Sequence, residues 1–321
     1  MRAVQLSRTG GPEVLEVVDL PEPEPGPGEI LIRQEAVGLN FIDTYHRSGL
    51  YPVSLPTVLG SEGAGVVEAV GEGVTRFLAG DRVAYAGGFG AYAELRTYPA
   101  ERAVKLPADI PTRTAAASLL KGMTAEFLLR RCYPVRPGDA ILVHAAAGGV
   151  GMILSQWGKA LGARVIGTVG SEEKAQVARD HGCDEVVLYR SEDVASRVKA
   201  LTDGEGVRVA YDGVGADTFE ASLASLGRRG VLVTYGNASG PAPAFAPLKL
   251  VRGSLYVTRP TLFDYVITTE ELDESASALF HVLSSGDVKI QIGQEFALAD
   301  VRAAHEALEG RATVGSTLLI P

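Results

Sequence analysis

Residues 144–151, HAAAGGVG, set three glycines and three alanines between an apolar run (140–143) and a helix-like stretch (152–161). Side chains this small let a backbone come close to a ligand, and the first turn of a helix carries free N–H groups that attract anions. Laid on the dinucleotide fingerprint G-x-G-x-x-G, the loop reads Ala146-x-Gly148-x-x-Gly151, with alanine at its first position. Its setting supplies what the bare pattern lacks, because a strand-like run precedes it and a helix-like run follows. Gly148 is expected to let the backbone approach a pyrophosphate, and Gly151 to let helix and strand pack closely. The N–H groups of Gly149, Val150 and Gly151 would then face the phosphates.

The end of the following strand discriminates between cofactors. A carboxylate there would bind the ribose 2′-hydroxyl of NAD. The sequence ARVIGTVGSEEKAQ instead offers Thr168, Val169, Gly170 and Ser171, with Lys174 one helical turn later. Glu172 and Glu173 suit a helix N-terminus, where the dipole favours them. A hydroxyl and a lysine fit a 2′-phosphate that a carboxylate would repel, so NADPH is the expected cofactor.

These residues need a frame, and the chain has three textures. Residues 1–114 are rich in glycine, proline and valine, with short alternating runs such as EILIRQEAVG and recurrent turn signals such as PEPEPGPGE. That pattern predicts a compact β-rich domain. From about residue 112 the period becomes helical in TRTAAASLLKGMTAEFLLRRC. Apolar runs (AILVHA, RVIGTV, EVVLY, RVAYDGV, GVLVTYG, GSLYVTR) then alternate with stretches of crossover-helix length over residues 115–260. Such alternation predicts a parallel sheet covered on both faces, a doubly wound nucleotide-binding domain. Residues 261–321 read as a helix and a final strand, RATVGSTLLIP, returning to the first domain. The fold class is α/β with a second, β-rich domain.

Composition narrows the function classes. At 321 residues about two domains are expected. A hydrophobic fraction of 46% and a charged fraction of 21% are those of a globular protein. The net charge of −9 argues against broad nucleic-acid or anionic-membrane binding. No run approaches the roughly 18 apolar residues of a spanning helix, and the first residues lack the apolar core of a secretory signal. Cys132 and Cys183 are too few for a disulfide framework and suit a reducing cytoplasm.

Read together, GGPEVL, VGLNFIDTYHRSGLYP, LGSEGAGVVEAVGEGV, GDRVAY, AAASLLKGMTA, HAAAGGVG, GTVGSEEKAQVA, YDGVG, GSLYVTRP and RATVGSTLLIP resemble the medium-chain dehydrogenase/reductase superfamily nearly end to end. The branch resembled is the zinc-independent, zeta-crystallin-like NADPH:quinone oxidoreductases. The resemblance implies a GroES-like first domain, a Rossmann second domain, and reduction of a quinone without metal in the cleft between them. Asn40 stands near the position where zinc relatives carry a cysteine, and Ser61 where they carry a histidine. The five histidines, at 46, 144, 181, 281 and 305, are scattered, and His46 and His144 read as packing or hydrogen-bonding residues.

By the same resemblance the nicotinamide would lie near Asn40, Asp43 and Tyr45, with Thr124 nearby. Gly170, Ser171, Lys174 and Tyr189 would hold the 2′-phosphate region. Tyr235, Gly236, Asn237 and Ala238 would line the nucleotide path, and Arg311 would add a cation. Tyr45 and Tyr51, read as aromatics in a loop, would wall the acceptor pocket, and Asn40 or Tyr45 would hydrogen-bond the acceptor carbonyl. The resemblance also implies a homodimer paired through the edge strand in GSLYVTRP. Two other readings share this sequence: an NADPH-dependent reductase of enone or enal double bonds, and a nucleotide-binding sensor or structural protein with little turnover.

Overall fold

The computed structural model describes all 321 residues. The chain forms two compact units. The first comprises residues 1–122, 266–284 and 290–321, and the second comprises 123–265 and 285–289. The expected boundary at 114 lies inside the helix Thr112–Phe127, whose alanine-rich sequence offers no break there.

In the first unit, a seven-stranded sheet runs in the order Ile292–Ala297, Ser316–Ile320, Glu29–Leu39, Glu62–Val70, Arg82–Ala86 and Ala103–Lys105, with Leu95–Pro99 also paired to Glu29–Leu39. Arg2–Leu6 lies between Leu15–Asp19 and Thr57–Val58 in a smaller antiparallel sheet. Alternation along Glu29–Leu39 buries Ile30 and Ile32 in one core with Val4, Leu6, Leu59, Phe77 and Tyr92. The strand Ser316–Ile320 pairs antiparallel with Glu29–Leu39, which places the C-terminal segment in this unit.

One element departs from the expectation of loop. Residues Phe41–Ser48 are a helix, so Tyr45 is helical and only Tyr51 lies beyond it. The cause is local. The Asp43 carboxylate accepts from the backbone N–H of Asn40 at 3.0 Å, reaching back one turn as a capping residue does. Gly49 closes the other end at φ 83°, a left-handed conformation that glycine adopts without steric penalty.

The second unit is a six-stranded, all-parallel sheet in the order Glu185–Leu188, Arg164–Val169, Ala140–Val143, Val207–Asp212, Leu226–Thr234 and Tyr256–Thr258. The helices Gly149–Ala160, Glu172–Asp180, Val194–Leu201 and Phe219–Ser225 make crossovers. Ser171 and Asp193 cap two of them, accepting from the backbone N–H of Lys174 and Ser196. Strand order reverses at Ala140–Val143, and a crevice for ligands opens beyond the carboxyl ends of the strands at such a switch point. The fingerprint loop leaves the sheet there.

Candidate active site

The fingerprint loop is shaped by backbone approach. A Cβ on Gly151 would lie 2.2 Å from the carbonyl oxygen of Ala145, so only glycine lets this helix start so close to the strand. At Gly148 the corresponding distance is 3.2 Å, a tighter fit than usual but not a clash. Gly148 caps the helix with extended backbone. Gly149, Val150 and Gly151 are its first residues, and their N–H groups have no acceptor within the helix. The cradle fits a pyrophosphate.

Beneath the loop, His144 is 1% exposed and hydrogen-bonded on both ring nitrogens, to Thr168 Oγ1 and Ser222 Oγ, each at 2.9 Å. The Ser222 hydroxyl donates to Asp212 Oδ2 at 2.7 Å, so Ser222 accepts from His144 Nε2–H and Nδ1 accepts from Thr168. His144 therefore ties together the ends of three strands. Burial holds its pKa below the usual imidazole value, so the ring is neutral. The sequence pattern gave no sign of this chain, because Ser222 lies 78 residues from His144.

At the end of Arg164–Val169 the expected residues converge. A Cβ on Gly170 would stand 2.7 Å from the Tyr189 hydroxyl and 3.4 Å from Arg190 Nε, so Tyr189 and Arg190 lie directly over the turn. Lys174 starts one turn into the next helix, where burial and then the Arg190 charge hold its pKa below the ordinary lysine value. Arg190 escaped sequence reading, although its place after Tyr189 at a strand end was the available signal. Glu172 and Glu173 occupy the first helical turn, and Ser171 beside Glu173 holds that carboxyl below its ordinary pKa. Two cations, a hydroxyl and a phenol fit a phosphate monoester.

Tyr235, Gly236, Asn237 and Ala238 follow the strand Leu226–Thr234 and pack on the turn after Val207–Asp212. A Cβ on Gly236 would meet the Gly213 carbonyl oxygen at 2.3 Å, and Tyr235 N donates to Asp212 O at 2.8 Å. The Thr234 hydroxyl beside them is buried and has no protein partner. Thr124 is buried on the helix Thr112–Phe127.

In the first unit, Asn40 is not free to serve an acceptor as a donor. Its amide nitrogen donates to Glu62 Oε2 at 2.9 Å and to Gly38 O at 3.2 Å, and its side chain also accepts from the backbone N–H of Asp43 in the capping box. Glu62 is fully buried and also receives Lys121 Nζ at 2.9 Å and Leu120 N at 2.7 Å. Asp43 is 1% exposed and its two oxygens accept from Ser61 Oγ, Tyr92 Oη and Asn40 N. Burial pushes its carboxyl up to about 6 against the pull of these donors. Asp43 thus holds the site from behind.

Behind Tyr92 the chain continues through His305 Nε2 at 3.1 Å, His305 Nδ1 to Arg47 at 3.1 Å, and Arg47 to Glu309 at 2.6 and 2.8 Å. A guanidinium can only donate, so Nδ1 accepts, Nε2–H donates to Tyr92, and Tyr92 donates to Asp43. Tyr45 and Tyr51 stand with ring centroids 5.3 Å apart, edge to face. Arg311 lies in the turn between Val301–Glu309 and Ser316–Ile320.

No group of three or more His, Cys, Asp or Glu side chains stands close enough to hold a metal ion. At the two positions where zinc relatives carry ligands, Asn40 and Ser61 offer an amide and a hydroxyl already donating to Glu62 and Asp43. This donor set does not fit zinc.

Comparison with known proteins follows the same lines. Residues 26–108 match the alcohol dehydrogenase GroES-like domain, and residues 149–280 match the zinc-binding dehydrogenase domain. The chain is 54% identical to a quinone oxidoreductase of Pseudomonas aeruginosa, over 100% of its own length and 99% of the relative's. It is 43% identical to a 2-haloacrylate reductase of a Burkholderia species, over 99% of this chain and 98% of that one. Among solved structures, the quinone oxidoreductase of Escherichia coli complexed with NADPH superposes with a TM-score of 0.98 at 49% identity, covering 100% of both chains.

Proposed function

Because this chain belongs to the quinone oxidoreductase branch of the medium-chain dehydrogenase/reductase superfamily, we propose that it reduces quinones with NADPH and without a metal. The observation that carries the reading is the strand end at Gly170, where Ser171, Lys174, Tyr189 and Arg190 converge and residues 168–171 offer no carboxylate, the acids Glu172 and Glu173 lying in the first turn of the following helix. The acceptor class rests on the likeness to quinone oxidoreductases.

When bound, NADPH supplies the hydride. The chain's own residues supply position and charge. The amides of Gly149, Val150 and Gly151 receive the pyrophosphate, while Lys174 and Arg190 neutralise the 2′-phosphate. Tyr235 to Ala238 line the nucleotide path, with the orphan hydroxyl of Thr234 as a donor beside them. Arg311 adds a cation. In the first unit, Tyr45 and Tyr51 offer aromatic surface to a flat acceptor, with the Tyr45 hydroxyl as donor to its carbonyl. Asn40, held by Glu62 and by the helix cap, shapes the nicotinamide side, and Asp43 fixes the helix that carries Tyr45. A quinone is already strongly electrophilic, so a hydrogen bond suffices where a less reactive carbonyl would need a Lewis acid.

A homodimer and a cytoplasmic setting belong to the same reading. Tyr256–Thr258 is an edge strand, and Tyr256, Leu248 and Val251 beside it are 59%, 77% and 73% exposed. An apolar edge of this kind invites pairing with a second copy. Both cysteines are free thiols, and no helix is long and apolar enough to cross a membrane.

The likeness to a 2-haloacrylate reductase favours a second reading, reduction of an activated carbon–carbon double bond with the same cofactor site. Steady-state oxidation of NADPH against a quinone panel and an enone panel separates the two. Quinone turnover well above enone turnover supports the first reading, and the reverse order supports the second. Tight NADPH binding without turnover on either panel would remove both.

A further inference from the structure

Five rings of the first unit touch in sequence. Phe41 and Tyr45 have centroids 6.4 Å apart, Tyr45 and Tyr51 5.3 Å, Tyr51 and His46 5.7 Å, and His46 and Phe89 4.7 Å. The last pair is edge to face at 89°, a geometry the ring quadrupoles favour. Burial holds the His46 pKa below the ordinary value, so at neutral pH it is an uncharged ring and continues the aromatic wall. The run ends on Phe89, which is 38% exposed.

The loop that carries Phe89 is built to hold it. Gly87, Gly88 and Gly90 have φ of 112°, 67° and 107°, values at which a side chain is strained. Beneath the loop lies Arg96, 5% exposed, its guanidinium centred 4.3 Å from the Tyr85 ring and 4.5 Å from the Tyr98 ring. Arg96 donates to Gly87 O at 3.2 Å, and a Cβ on Gly88 would stand 3.0 Å from its Nη2. A planar cation packed against two touching tyrosine rings therefore seats the glycine turn, and the turn presents Phe89 at the open end of the aromatic run.

We propose that Phe89, seated on His46 by the Arg96-anchored loop, extends the acceptor wall begun by Tyr45 and Tyr51 and sets the enzyme's preference for polycyclic over single-ring quinones. This rests on the quinone reductase reading. A one-ring quinone is covered by the two tyrosines, whereas a fused-ring quinone reaches His46 and Phe89. One aromatic contact changes affinity by up to about tenfold, and Phe89 adds one only for the larger acceptor.

The test is the ratio of kcat/KM for phenanthrenequinone to that for benzoquinone, measured with NADPH in the wild type, Phe89→Ala and Phe89→Trp. Phe89 is exposed on a loop, so both variants should fold, and unchanged NADPH affinity by fluorescence titration checks this. The ratio is expected to fall about five- to tenfold in Phe89→Ala and to stay level or rise in Phe89→Trp. Equal changes for both quinones, or no change for either, would overturn the proposal while leaving the quinone reductase reading intact. A wild type that reduces neither quinone would remove both.

Discussion

Arg47 donates to His305 Nδ1 at 3.1 Å, and that contact sets the direction of every hydrogen bond between the helix Val301–Glu309 and Asp43. With Nδ1 forced to accept, the proton sits on Nε2 and the chain runs one way, through Tyr92 to the carboxylate. Reversing it would turn a second N–H toward a guanidinium. The arrangement favours the Asp43 anion in a place where burial alone would protonate it.

The two buried groups titrate with opposite sign. Burial and the Arg47 charge push His305 down to about 3, so its contribution to stability is complete above about 6.5 and is lost as pH falls toward 3. Asp43 is raised to about 6 from an ordinary 3.8, so it costs stability above 6 and the cost is relieved as pH falls toward 3.8. We expect wild-type stability in urea to drop between pH 7 and 6 and to level off below. In His305→Asn the drop should vanish, and the gap to wild type should narrow by about 1.4 kcal/mol per pH unit below 6.5. A gap identical at pH 5, 6 and 7 would contradict this.

Glu62 and Lys121 form a pair with side chains 0% and 7% exposed. Glu62→Gln leaves the ammonium buried and unmatched, and should cost about 3–5 kcal/mol. Adding Lys121→Met should restore a large part of that loss. A double variant no more stable than Glu62→Gln would mean that the Asn40 and Leu120 contacts, not the charge pair, dominate.

For the cofactor, Lys174→Ala and Arg190→Ala should each weaken NADPH binding about ten- to a hundredfold and leave NADH affinity nearly unchanged. Titrating both nucleotides by fluorescence measures this. Parallel losses for the two would move the 2′-phosphate elsewhere.

Gly151→Ala forces a Cβ to within 2.2 Å of the Ala145 oxygen, whereas Gly148→Ala meets the same atom at 3.2 Å. Gly151→Ala should therefore cost about 1–3 kcal/mol and displace the loop, with a loss of NADPH affinity. Gly148→Ala should be milder in stability. Thermal melts with and without NADPH rank the pair, and the opposite ranking would refute the packing role given to Gly151.

Light scattering of the wild type should give the mass of two chains. Tyr256→Asp, which sets a charge on the edge strand, should give the mass of one. A single-chain mass for the wild type at micromolar concentration would dismiss the dimer.

Local signals carried much of this into view from sequence. The apolar runs gave the six parallel strands, and the small residues at 144–151 gave the loop. The pattern Gly170, Ser171, Lys174 pointed to the strand end where Tyr189 and Arg190 also stand. What stayed hidden depended on partners far along the chain. Tyr45 read as loop because its helix is only eight residues long, too short to stand out among the turns around it, even though Asn40, Asp43 and Gly49 marked its ends. The engagement of the Asn40 amide by Glu62, the His144–Ser222–Asp212 chain and the Arg47–His305 contact join residues 10 to 258 positions apart. No window of sequence contains both ends of most of these.

The two units also differ in when they can be completed during synthesis. The second is almost one continuous stretch, 123–265 with 285–289, so its sheet can close while later residues are still being added. The first waits: the strand Ser316–Ile320 slots between Ile292–Ala297 and Glu29–Leu39. Until those residues leave the ribosome, the Val37–Leu39 end of the strand Glu29–Leu39 stands unpaired on that flank, exposed to whatever nascent strand or chaperone reaches it first.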